Sequence, residues 1–222
     1  LYEQNFTKAE LLEMFQLKDR KGDNFLDLAF QNREILVKID VIKIVNWFED
    51  ETKLKEFLLQ KNRWNERNYL MKSAYGEDYS DNISESGEIY FCLMFENFYC
   101  KFLKIDDFAY KTDWYGRNFL HFLARFGSVP MLKLALEKLK SELSHEDFHN
   151  FVKLKSKDRK NILHYAAVCN EESVELLINF IKKEVSIEGV NEMLSNVDSN
   201  NRTPLHYTIQ YCSFKVFVLF FT

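Results

Sequence analysis

The chain has 222 residues, 46% of them apolar and 16% aromatic, enough to bury a large core as one domain or as an array of repeats. Its formal net charge is −4 with both signs mixed throughout, which argues against a general nucleic-acid surface, and its apolar runs fall far short of the roughly 20 residues that a membrane-spanning helix needs. With six glycines and two prolines, turn punctuation is sparse, and the apolar residues follow a 3.6-residue period, so the expected fold class is all-α.

In chain order, "TKAELLEMFQLK" (7–18) opens on a capping pair, Thr7 with Glu10, and places Leu11, Met14 and Phe15 on one helix face. "DRKGDNFLDLAFQN" (19–32) reads as a turn running into a helix start, and "DVIKIVNWFED" (40–50) carries Val41, Ile44, Val45 and Phe48 at helical spacing. "ETKLKEFLLQKN" (51–62) matches the earlier face only at Leu58 and Leu59. "RWNERNYLMKSAYG" (63–76) is a second turn and helix start, followed by the acidic "GEDYSDNISESGE" (76–88), read either as a disordered solubilising loop or as a contact for a basic partner.

"IYFCLMFENFYCKFL" (89–103) contains Glu96, Asn97 and Lys101 and reads as a buried helix rather than a membrane span. "KFLKIDDFAYKT" (101–112), "SHEDFHNFVKLK" (144–155) and "SIEGVNEMLSNV" (186–197) are short helices, each preceding a turn. The turns themselves open "DWYGRNFLHFLARFG" (113–127), "SKDRKNILHYAAVCN" (156–170) and "DSNNRTPLHYTIQYC" (198–212). "VPMLKLALEKLKSEL" (129–143) and "SVELLINFIKK" (173–183) are longer helices, the first with Pro130 in its opening turn. "FKVFVLFFT" (214–222) is apolar all round, so a further repeat, another domain or a partner is expected to cover it.

These segments are one pattern repeated. Aligned on Asp27, Met71, His121, His164 and His206, the copies lie 44, 50, 43 and 42 residues apart. The chain therefore divides into about five stacked units at approximately 7–50, 51–100, 101–143, 144–185 and 186–222, within a single array over 1–222. Each unit is a short helix, a turn, a helix, a loop and a longer helix.

The pattern resembles the ankyrin repeat family, whose motif is roughly D-x-x-G-x-T-P-L-H-x-A-A-x-x-G. The third copy keeps Asp113, Gly116, Leu120, His121, Ala124 and Gly127; the fourth keeps Leu163, His164, Ala166 and Ala167; the fifth keeps Asp198, Thr203, Pro204, Leu205 and His206. Ankyrin units are about 33 residues long, and the extra helix before each turn accounts for much of the difference. The resemblance implies an ankyrin-type helical solenoid with short turn loops, in which His121, His164 and His206 brace their turns. It also implies a non-enzymatic scaffold that binds a partner protein along turn tips and inner helices.

The residues themselves support no chemistry beyond binding. Histidines at one repeat position sit about 10 Å apart, too far to converge on a metal, and His145 with His149 reads as a surface pair on one helix. No phosphate loop, dinucleotide fingerprint, zinc-protease motif or nucleophile elbow is present, so no catalytic, cofactor-binding or metal residue is assigned and no cofactor is expected.

Candidate partner-binding residues are the turn aromatics Trp64, Trp114 and Tyr115, whose alternative is folding back onto a neighbouring helix. A basic column, Arg67, Arg117, Lys160 and Arg202, reads either as a draw for an acidic partner or as a solvated loop. A protein partner is expected, with no nucleic acid. Cys92, Cys100, Cys169 and Cys212 form no C-x-x-C pair, and no signal peptide is visible, so free thiols in an intracellular, cytoplasmic protein are expected. Leu1 is not an initiator methionine, and the chain is expected to be an excerpt. Two rival readings stay open: a targeting arm of a larger effector or enzyme, and the repeat region of a membrane or toxin protein.

Overall fold

Capping residues decide where many of the helices begin. Thr7, Asp50, Ser128, Ser144 and Ser186 each precede a helix and accept hydrogen bonds from its first-turn N–H groups. The computed structural model describes residues 6–20, 22–30, 43–44, 46–61, 66–73, 91–92, 94–169, 171–212 and 214–219. Among these residues every regular element is helical and no strand is present.

Helices α1 (Lys8–Gln16), α2 (Phe25–Phe30), α3 (Glu51–Leu59) and α4 (Tyr69–Ser73) come first. A π-helical stretch at Phe95–Tyr99 continues into α5 (Cys100–Phe102), followed by α6 (Ile105–Phe108). Then come α7 (Phe119–Phe126), α8 (Val129–Glu142), α9 (His145–Val152), α10 (Ile162–Cys169), α11 (Glu171–Glu184), α12 (Ile187–Ser195), α13 (Pro204–Tyr211) and α14 (Phe214–Leu219). From α6 onward one order recurs three times: a short helix, a turn, an eight-residue helix and an outer helix.

The helices form two rows. In one, α2 packs on α4, α4 on α7, α7 on α10 and α10 on α13; in the other, α8 packs on α11 and α11 on α14. Small side chains permit the close approach in the first row. Ala124 and Ala167 are completely buried between neighbouring helices, whereas Ile209 at the same position of α13 is 64% exposed.

Phenylalanines and one tyrosine run through the core as linked ring contacts. Tyr99 lies 5.1 Å from Phe108, Phe108 lies 5.9 Å from Phe119, and Phe119 lies 6.3 Å from Phe151. Such pairs add dispersion and quadrupole attraction to their area burial. They tie the π-helical stretch to α6, α7 and α9.

Several expected faces shift on folding. In α1, Leu11 is buried but Met14 is 46% exposed. In α3 the buried face is Leu54, Phe57 and Leu58, one step round the helix from the expected Leu58 and Leu59. In α14, Val216 is buried while Phe214 is 77% exposed, so this apolar helix is covered on one side only. Cys92, Cys100 and Cys212 are partly buried, and Cys212 Sγ donates to the Ala167 carbonyl at 3.2 Å. Among the described residues no helix is long and apolar enough to cross a membrane. The expected helix at 40–50 is not continuous: residues 43 and 44 are helical, 46–50 form a turn and irregular backbone, and 40–42 and 45 lie outside the described residues, as does the whole acidic stretch 76–88.

Candidate functional site at the turn tips

Each of the five turns carries one residue in the left-handed region. Gly22, Glu66, Gly116, Arg159 and Asn201 have φ of 83°, 57°, 73°, 62° and 58°, and each stands five residues before the aligned histidine position. Only two of the five are glycine, the residue best suited to the left-handed region, so residue type does not mark the left-handed position in the other three. Gly116 is doubly constrained, because a Cβ there would lie 3.0 Å from the Lys157 backbone nitrogen. Gly127 serves a different purpose: a Cβ would meet the Leu123 carbonyl at 2.6 Å where α7 ends.

Four of the turns close in the same way. The N–H groups of Asp19, Asp113, Ser156 and Asp198 donate to the carbonyls of Asp23, Arg117, Lys160 and Arg202 at 2.8–2.9 Å. The opening side chain returns a bond, as when Asp113 Oδ1 accepts from the Arg117 and Tyr115 N–H groups at 2.9 Å. Adjacent turns are laced together by backbone: Lys157 N–H donates to the Tyr115 carbonyl and Ser199 N–H to the Asp158 carbonyl, both at 2.9 Å.

Beneath the turns side-chain caps start the following helices, one-sided at Met71, whose N–H donates to Asn68 Oδ1 at 2.9 Å, and reciprocal in the first, third and fourth units. Asn118 Oδ1 accepts from His121 N–H at 3.1 Å, and His121 Nδ1 accepts from Asn118 N–H at 3.2 Å. Asn161 and His164 repeat the pair, and Thr203 N–H donates to His206 Nδ1 at 3.1 Å. In the first unit Asp27 does the histidine's work, accepting from Asn24 N–H at 3.0 Å. Pro204, with no N–H to satisfy, opens α13. The ring of His164 also reaches the next unit, where Nε2 lies 3.0 Å from the Arg202 carbonyl.

Burial keeps the rings of His121 and His164 neutral. Desolvation pushes His121 down to about 4, the carbonyls of Leu154 and Lys160 offsetting only part of it. Desolvation likewise pushes His164 down to about 4 against the opposing Arg202 carbonyl. His206, at the same position in the last unit, is exposed. The rings of His145 and His149 lie tilted at 54° with centroids 3.9 Å apart, and His149 Nε2 contacts the Glu184 carbonyl at 3.2 Å. No group of three or more metal-ligating side chains occurs among the described residues.

The basic column is largely engaged with its own chain. Arg117 Nη2 pairs with Asp113 Oδ2 at 2.6 Å and its guanidinium lies 4.7 Å over the Phe122 ring. Arg67 approaches the same carboxylate at 3.8 Å and the same ring at 4.9 Å, joining the second unit to the third. Lys160 faces Asp198 at 3.9 Å and the Tyr207 ring at 4.8 Å. Arg202 alone of the four is exposed. Burial opposes ionisation of Asp198, but hydrogen bonds from Tyr207 and from the Arg202 and Asn200 N–H groups hold it below the usual carboxylate range.

The aromatics behave differently. Trp114 and Tyr115 are 59% and 52% exposed at the tip of the third turn, while Trp64 lies outside the described residues. Lys157, which the sequence did not single out, places Nζ 6.0 Å over the Trp114 ring, and Arg117 sits 4.8 Å over Tyr115. Compared with known proteins, the chain matches no family model and no curated sequence significantly. The fold and site define an all-helical protein with a repeated turn.

Proposed function

We propose that the chain is a divergent ankyrin-type helical solenoid that serves as a non-enzymatic protein-interaction scaffold, binding a partner along its turn tips and inner helices. The repeated left-handed turn, the Asn–His caps and the two helix rows support the solenoid reading. The observation that carries the binding reading is the exposed pair Trp114 and Tyr115, held on a turn closed by the Asp113 N–H to Arg117 carbonyl bond and tied to the fourth turn by the Lys157 N–H. Large aromatics left in water on a rigid support lose little entropy on docking, which is why such residues dominate binding energy at interfaces.

The test is affinity capture from cell lysate with the wild type beside Trp114→Ala/Tyr115→Ala. Both side chains are exposed, so the variant is expected to unfold at the wild-type temperature and to lose the captured partner. A variant that is equally well folded and still retains the same partner would place the binding surface elsewhere.

A further inference from the structure

Resting on the interaction reading above, we infer that the tips of the third to fifth turns take an acidic, extended segment of the partner protein. Three turns line up here, and their exposed charges are unbalanced. Lys155, Lys157, Arg159 and Arg202 are exposed, against the single exposed carboxylate of Asp158. The other two acids of these turns, Asp113 and Asp198, are buried and already bonded to Arg117 and Tyr207. Lys155, Lys157 and Arg159 make no ion pair among the described residues. This local excess of cations sits on a chain whose formal net charge is −4.

The aromatics narrow the partner's chemistry. One face of Tyr115 is covered by Arg117 and one face of Trp114 lies under Lys157, so neither ring offers two free faces for a base to slot between. The indole N–H and phenol O–H can each donate to a carboxylate while Lys157 and Arg159 supply its counter-charge. Neighbouring turns in a stacked array lie about 10 Å apart, and an extended chain rises about 3.3 Å per residue. The fitting ligand therefore carries Asp or Glu about every third residue.

The decisive experiment measures anisotropy of labelled nine-residue peptides with Glu at every third position, beside the same peptide carrying Gln and a short oligothymidylate. The acidic peptide is expected to bind, to weaken about tenfold between low and moderate salt, and to weaken by at least about tenfold in Lys157→Glu/Arg159→Glu. Glutamate is compatible with the left-handed position of Arg159, since Glu66 occupies its counterpart with φ 57°. Equal binding of the Gln peptide, tighter binding of the oligonucleotide, or indifference to the charge reversal would each overturn the inference. In the capture experiment, a partner lost by Trp114→Ala/Tyr115→Ala but kept by Lys157→Glu/Arg159→Glu overturns the acidic segment and leaves the scaffold standing. A partner kept by both variants overturns the tip surface itself.

Discussion

His164 links two units through one ring: Nδ1 accepts from the Asn161 N–H at 3.2 Å and Nε2 meets the Arg202 carbonyl of the next turn at 3.0 Å. The pairing requires the proton on Nε2, so the neutral ring with that tautomer is the species that holds both bonds. The same ring packs edge-on against Tyr207, with centroids 5.9 Å apart. His121 meets Tyr165 in the same way at 5.2 Å.

Removing the His164 ring leaves the buried Asn161 N–H without its acceptor and takes one of two donors from the Arg202 carbonyl, the Asp198 N–H remaining. His164→Ala is expected to cost about 2–3 kcal/mol. His206→Ala loses only an exposed cap and should cost about 1 kcal/mol. Thermal unfolding of the two variants compares them, and equal losses would show that the bond to Arg202 contributes nothing.

Acid should loosen the fold before it touches the carboxylates. His121 and His164 titrate at about 4 in the folded chain, below the ordinary value of 6.5. Between those values the unfolded chain binds more protons, so this stability is fully present above pH 6.5 and is lost as pH falls toward 4. Unfolding temperatures measured from pH 7 to pH 4.5 are expected to decline, with a shallower slope in His121→Asn/His164→Asn. The contribution of Asp198, whose folded value is depressed, is lost only at lower pH.

The five left-handed residues make opposite predictions at two sites. Gly116→Ala adds a Cβ at φ 73° and 3.0 Å from the Lys157 nitrogen, and is expected to destabilise by about 1–2 kcal/mol. Arg159→Gly relieves a φ of 62° and should be neutral or stabilising by up to about 1 kcal/mol. Urea denaturation midpoints test both, and a loss at Arg159→Gly would mean that its side chain, not its backbone, matters there.

Asp27, buried, and Lys72, partly buried, form an ion pair where the last two units place His164 against Tyr207. Lys72→Ala is expected to cost about 3 kcal/mol, because it strands the carboxylate of Asp27. The double variant Asp27→His/Lys72→Tyr installs the pairing of the later units and should recover most of the loss. Its equilibrium unfolding against both single variants gives the coupling directly.

Helix starts, the repeat and the alignment of the turns were legible in the chain because they are local: capping pairs, a 3.6-residue period and a recurring Asn-x-Leu-x spacing act within a few residues of each other. What tertiary structure decided was which of these side chains remain free. His121 and His164 are buried whereas His206 is exposed, although all three share one motif position, because burial depends on whether another unit lies alongside. Three members of the basic column are taken up by Asp113, Asp198 and the neighbouring rings, while Trp114 stays in water beside Lys157, a residue that local pattern does not distinguish. Those outcomes depend on charges and rings brought together from different units, and a repeat spacing specifies the order of the units without specifying what meets across them.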